Sequence, residues 1–405
     1  MNTISSERSE PSATVVIALG ILNALTPFTI DLYLPAFADI ASDLRTDVPS
    51  VSLSVATYFI GFALGQVIYG PLLDRFGRKP PILVGLILYV IATLGCLRSQ
   101  TIHELLVFRF FQALGGSAAS VGAMTMVRDL FPPNQTAKVF SVLMLVLSVS
   151  PLFAPTMGGW MAAHQGWRFI FAVLAALAVA NFIIVCLLPK TRGRDPSVSL
   201  KIVPVLRTFR EVLRIPSFRT YTIAGALSFA GMFVFVTGSP AVFIDGFGVS
   251  KQGYGLIFAL IAGGMIAGGQ INNLLMKRAS SQTIFRRAML FQLIMGALFL
   301  ASVLIFDLGL EMTIAFLFFI ISSMGIGYPN AASLALEKVT ANVGSASALL
   351  GFLQMGFGAV LSSLVGLISA RGSVSTALVM CISACLGWFV LNWSKTEVVK
   401  DPSSI

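Results

Sequence analysis

Charge is scarce in this chain. Asp, Glu, Lys and Arg make up 11% of its 405 residues, against about 25% in a soluble domain, which excludes an ordinary water-facing surface. Acid is scarcer than base, with 17 carboxylates against 27 Lys and Arg, so a carboxylate inside an apolar run stands out. The four cysteines, Cys96, Cys186, Cys381 and Cys385, all fall in apolar runs; this excludes a disulfide framework and leaves them as small packing residues. The only histidines are His103 and His164, at expected helix ends, so no ligand cluster for a metal is expected. There is no Ser/His/Asp order and no glycine-rich phosphate cradle. Neither an enzyme nor a bound cofactor is expected.

What the chain has in quantity is apolar residues, 56% of the total. They fall into runs near 14–38, 50–73, 80–98, 104–130, 138–162, 168–188, 219–244, 253–276, 288–306, 311–330, 345–369 and 374–394, each about the length that crosses a bilayer. An all-α membrane protein with twelve transmembrane helices follows, its main partner the lipid bilayer. The first 13 residues are polar, with Glu7 and Glu10 against Arg8, so a signal peptide is not expected.

An even helix count puts both termini on one side, and most basic residues fall in the segments of that side: Arg8; Arg75, Arg78 and Lys79; Arg128 and Lys138; Lys277, Arg278, Arg286 and Arg287; Lys338; Lys395 and Lys400. Eight more lie between Pro189 and Arg219, against only Asp195 and Glu211. The positive-inside rule makes both termini cytoplasmic. The net charge of +10 is then an orientation signal, with no nucleic-acid partner needed. The basic linker, 190–218, separates two six-helix lobes, 1–189 and 219–405, a plan typical of transporters that rock around a midplane site. The loop LLMKRASSQTIFRR after helix 8 takes the place of LLDRFGRKPP after helix 2, but lacks its acid and its glycine.

The stretch TVVIALGILNALTPFTIDLYLPAFADI carries one carboxylate well inside a span, Asp31. An acid there costs at least ~2.5–3.5 kcal/mol on insertion scales and should face a polar cavity or a partner. Two readings stand: a proton site, or a carboxyl near the outer interface bonding its neighbours. Arg109, in helix 4 at comparable depth, should either pair with Asp31 and Gln112 around a cavity or snorkel to the interface.

Residues 70–79, GPLLDRFGRK, suit a tight charged turn. Gly77 allows the reversal. Asp74 can bond free backbone amides, while Arg75, Arg78 and Lys79 can pair with acids such as Asp129. This string resembles the signature loop of the major facilitator superfamily, Gly70 included. DLYLPAF (31–37), RFFQALGGSAA (109–119) and SVSPLFAPTMGG (148–159) resemble segments of its twelve-helix drug/proton antiporters, in particular the bicyclomycin-resistance (Bcr/CflA) group. Arg109, Gln112 and Gly115 match one pattern, with Ala113 in place of a glycine. Pro155, Gly158 and Gly159 match the antiporter signature, where Ser150 and Ala154 replace glycines. TGSPAVFIDGFGVS (237–250), YPNAA (328–332) and SASALLGFLQ (345–354) are similar to further segments of the group.

The resemblance implies the major facilitator fold and proton-coupled multidrug efflux across the bacterial inner membrane by alternating access. Small amphipathic compounds or antibiotics would be the cargo, protons the coupling ion, and a monomer the working unit. A metabolite, peptide or nutrient transporter on the same fold is the alternative. Pro151 and Pro155 remove helix donors, while Gly158 and Gly159 admit a close neighbour. Phe28, Tyr33, Tyr58, Phe229, Phe233 and Phe235 are expected to line a cavity between the lobes. Trp167 and Arg168 are expected as anchors at the outer interface.

Overall fold

The structure, a computed structural model, describes residues 13–131, 133–189, 191, 195, 202–306, 308–339, 343–368 and 372–398. Its helices are α1 (Ala13–Asp31), α2 (Phe37–Asp43), α3 (Val48–Phe76), α4 (Lys79–Arg98), α5 (Ile102–Leu130), α6 (Pro133–Gln165), α7 (Trp167–Leu187), α8 (Ile202–Leu213), α9 (Pro216–Pro240), α10 (Lys251–Leu275), α11 (Ser281–Ile305), α12 (Leu310–Leu336), α13 (Val343–Leu367) and α14 (Gly372–Val398). Among the described residues there is no strand. Apart from α2 and α8, all are long. Among the described residues eleven spans are long and apolar enough to cross a membrane, the first taken together with α2 as Ala13–Asp43; the 33-residue α6 is a twelfth helix of sufficient length.

Local chemistry marks where the helices begin. Asp47, Thr101, Ser250 and Ser280 each accept a hydrogen bond from the backbone N–H three residues on, at 2.9, 3.3, 3.1 and 3.3 Å, the ordinary N-cap arrangement. The Ser50 hydroxyl, and then its backbone N–H, lower the Asp47 carboxyl below its ordinary pKa,. Glu104 reaches back past the cap and accepts from Gln100 N at 2.8 Å. Gly77, at φ 80°, makes the reversal between α3 and α4 in a region that side chains with a Cβ disfavour.

Twelve crossings return the chain to the face where residue 13 lies, the terminal face; the opposite face is the distal one. The helices from α1 to α7 form one lobe and those from α9 to α14 the other, joined chiefly where α3 meets α13 and α6 meets α10. Large apolar side chains such as Leu187 and Ile305 point outward, as a lipid-facing belt requires. The short α8 is amphipathic and buries Phe209 and Val212 against Phe218, Val339, Ala346 and Leu349 of the second lobe. Lys190, Arg192, Arg194 and Lys201 of the basic linker lie outside the described residues.

On the distal face Lys251 of α10 pairs with Asp39 of α2 at 2.5 Å, tying lobe to lobe. Trp167 does not act as the expected interface anchor. It is 4% exposed, and its Nε1 donates to Asp43 at 3.1 Å, while Arg168 pairs with the same carboxylate and donates to Leu97 O and Ser99 O. On the terminal face a cavity of about 890 Å³ opens between the lobes, lined by residues such as Gln66, Asp74, Ser120, Asp129, Phe209 and Gly351.

Candidate functional site

Helix 1 is not continuous. α1 stops at Asp31, a 3₁₀ turn follows over Leu34–Ala36, and α2 resumes at Phe37. Pro35 explains the stop, because it has no N–H to offer the Asp31 carbonyl four residues earlier. The sequence reading ran one helix through this segment; the structure breaks it at the acid. Broken helices in a membrane are tolerated only where protein or a cavity covers the freed backbone, and α6 does so here. A Cβ on Gly158 would collide with the Leu32 carbonyl, so glycine lets α6 lie directly on the break. One residue on, a Cβ on Gly159 would stand 2.7 Å from Lys251 O, where α6 meets α10 of the other lobe. Both Pro151 and Pro155 lie inside α6, each removing a ladder bond.

Asp31 is 4% exposed, and among the described residues no hydrogen bond or ion pair to its carboxyl is seen. The expected Asp31–Arg109 pair is not formed. Arg109 is fully buried, so it does not snorkel either. Its Nη1 donates to Gln112 Oε1 at 2.6 Å and to Thr29 O at 3.3 Å, and its guanidinium stacks 4.2 Å from the Tyr33 ring and 4.5 Å from the Tyr58 ring. Nε and Nη2 have no hydrogen-bond partner among the described residues; the two ring faces take the place of an acid, by cation–π attraction. The network then runs through α4 and returns to α1. Gln112 Nε2 donates to Thr93 at 2.8 Å, Thr93 donates to Tyr89 O at 2.6 Å, and the Tyr89 hydroxyl meets Thr29 at 2.6 Å. Tyr89, Thr93 and Thr29 carried no sequence signal beyond being polar atoms in apolar runs.

The six aromatics expected around one cavity divide into four groups. Tyr33 and Tyr58 hold Arg109. Phe235 is buried in the second lobe against Phe258, with centroids 5.0 Å apart, and Phe28 packs, partly buried, on the apolar core that spans both lobes. Phe229 and Phe233 belong to a chain of rings across the lobe boundary: Phe233 to Phe59 of α3 at 4.5 Å, Phe229 to Phe233 at 5.6 Å, and Phe229 to Tyr328 at 4.6 Å. Tyr328 donates to Gln354 at 2.5 Å. None of the six lines the terminal-face cavity. Phe59, Tyr328 and Gln354 were missed as site residues, although YPNAA and SASALLGFLQ contain the last two.

The turn at 70–79 is held by one arginine. Arg78, 6% exposed, donates to Asp74 at 2.6 Å and through Nε to Asp129 at 2.6 Å, with a second bond to Asp129 at 3.3 Å. Asp74 thus binds Arg78 rather than the backbone amides expected of it. Lys79 donates to Cys186 O at 3.0 Å, the Arg75 carbonyl accepts from Asp195 N, and Gly70 lines the terminal-face cavity. Asp129 is 15% exposed and Asp74 49%, which ranks their contributions. Asp129→Ala leaves a nearly buried cation half paired and is expected to cost about 2 kcal/mol, short of the ~3–5 of a fully buried pair. Asp74→Ala is expected to cost at most about 1 kcal/mol. Thermal unfolding in detergent checks the order, and equal losses would refute it.

A sequence profile of the Major Facilitator Superfamily matches residues 19–363. The chain is 31% identical to a bicyclomycin resistance protein homolog of Haemophilus influenzae, over 93% of this chain and 94% of that one. It is 28% identical to multidrug resistance protein D of Escherichia coli, over 95% and 96%. Its fold superposes on the crystal structure of a D-xylose–proton symporter with a TM-score of 0.73 at 14% identity, covering 94% of this chain and 98% of that one, a likeness of fold alone. Twelve long helices in two lobes, the charged turn after α3 and these matches agree: the chain belongs to the major facilitator superfamily and is a membrane transporter of small molecules, not an enzyme.

Proposed function

We propose that this protein exports small amphipathic compounds, antibiotics among them, from the bacterial cytoplasm in exchange for protons. It works as a monomer in the inner membrane with both termini cytoplasmic, its lobes 1–189 and 219–405 rocking about the linker 190–218. The observation that carries the reading is Asp31, a buried carboxyl without a partner among the described residues, at the break of a membrane helix. Intramembrane acids mark proton relays. The bicyclomycin- and multidrug-resistance relatives support the cargo class. The cations of the turns at 75–79 and 277–287 support the orientation.

In this reading the terminal-face cavity is the cytoplasmic entrance. Cargo enters it, the ring chain of Phe59, Phe233, Phe229 and Tyr328 parts to admit it, and refacing of the lobes delivers it outside, where Asp31 takes up the returning proton. α3 ties the two regions, with Tyr58 against Arg109 and the adjacent Phe59 against Phe233. Coupling requires only that proton and cargo each favour a different access state. The Arg78 cluster and the Pro151 to Gly159 segment act as conformational elements.

Proteoliposomes with an imposed pH gradient, loaded with compounds chosen from a susceptibility panel in an efflux-deficient strain, test the proposal. Accumulation that follows the gradient supports it; transport indifferent to the gradient overturns it. The Asp39–Lys251 pair is a distal latch in this cycle. Its side chains are about a quarter to a third exposed, so its loss shifts the balance by ~1 kcal/mol at most. Asp39→Asn is expected to raise labelling of distal-face cysteine reporters by up to about fivefold, and the reversed pair Asp39→Lys with Lys251→Asp to restore it.

A further inference from the structure

The turn between α10 and α11 has the place of the Arg78 turn but none of its acids. From Lys251 to Phe306 the chain contains no Asp or Glu, while Lys277, Arg278, Arg286 and Arg287 gather at the terminal face. In the first lobe two carboxylates neutralise Arg78. Among the described residues Arg287, Lys277 and Arg278 have no ion pair; all three are exposed, and Arg286 meets no acid, donating to Asn392 at 3.3 Å and lying over the Trp388 ring at 5.7 Å.

Beside this turn the outer surface of the second lobe is grooved. A cleft of about 370 Å³ runs between α10, α11 and α12, walled by apolar side chains such as Ile271, Leu275, Phe291 and Phe319, with Arg287 on its α11 wall and Ala279 and Thr283 toward its terminal end. From Gly264 to Leu275 the cleft is about 17 Å long at the helical rise. It opens outward, toward the hydrocarbon, and Ile271, Phe291 and Phe319 are 47%, 43% and 48% exposed. An apolar trough that carries an arginine on its wall and opens beside a turn of cations without acids matches an occupant with an apolar tail and an anionic head,.

We infer that this cleft binds one anionic phospholipid, an acyl chain lying along α10 and the headgroup phosphate bonded by Arg287, with Lys277 and Arg278 at the rim. Arg287 supplies a planar fork suited to phosphate. The site faces the bilayer and shares no residue with the Asp31 and Arg109 region, so it stands or falls apart from the transport reading.

Native mass spectrometry of the full-length protein in detergent, with added phosphatidylglycerol or phosphatidylcholine, tests it. One phosphatidylglycerol is expected to remain bound after phosphatidylcholine has left. Arg287→Ala should weaken its retention by about fivefold. Ala267→Trp, which fills the exposed trough without changing charge, should weaken it as much. Lys338→Ala, which removes one exposed cation of the same face outside the cleft, should not. Glycerol phosphate, a head without a tail, should fail to displace the lipid. Equal retention of the two lipids, an equal effect of Lys338→Ala, no effect of Ala267→Trp, or displacement by glycerol phosphate would each overturn the inference.

Discussion

Asp31→Asn is expected to give a folded, inserted protein that no longer responds to a pH gradient. The amide nearly matches the carboxyl in shape, and it removes a group whose charge costs at least ~2.5–3.5 kcal/mol in a membrane helix. The carboxyl has no hydrogen bond or ion pair among the described residues, so the substitution should leave thermal stability unchanged or slightly raised. Gradient-driven accumulation should fall to background, while counterflow of labelled cargo, which needs only refacing, should persist. Wild-type accumulation in Asp31→Asn liposomes would remove the proton-site assignment and leave a structural carboxyl.

Arg109→Ala is expected to fail differently. The guanidinium fills a fully buried space between Tyr33, Tyr58, Gln112 and Thr29. Its removal leaves a void and orphans Gln112 Oε1 and the Thr29 carbonyl, at ~1–3 kcal/mol for each unsatisfied group. A loss of about 3 kcal/mol or more is expected in detergent unfolding, together with loss of both accumulation and counterflow. Arg109→Lys keeps the charge but not the planar stack on two rings, and should recover only part. Because Arg109 and Asp31 do not pair here, the stability effects of Arg109→Ala and Asp31→Asn should add within about 0.5 kcal/mol. Strong non-additivity would mean that the two groups meet in the protein's other access state.

The twelve helices were legible because each apolar run is long and each break is polar, a signal that needs no tertiary knowledge. Asp31 and Arg109 were legible as isolated charges in such runs. Their relation was not: similar depth says nothing about which way each side chain turns around its helix. The aromatic sites failed for a related reason. With 32 phenylalanines, composition cannot separate Phe233, at the lobe boundary, from Phe235, two residues on and buried in a core. The Asp39–Lys251 pair joins residues 212 apart and had no local trace. The break at Asp31 could have been read from Pro35, four residues on, had the missing donor outweighed the unbroken hydropathy.

The polar cluster around Arg109 is built from α1, α3, α4 and α5, whereas the ring chain at the lobe boundary is mostly the property of α9, α12 and α13, with Phe59 the one contribution from the first lobe. Under selection by a new toxic compound, the two regions therefore offer unequal freedom. Positions 229 and 233 can be resized one at a time without breaking a hydrogen bond, whereas most changes at positions 29, 58, 89, 109 or 112 strand a polar atom. If cargo meets the ring chain as proposed, drift in cargo range should accumulate in the second lobe, and the surroundings of Arg109 should change slowest.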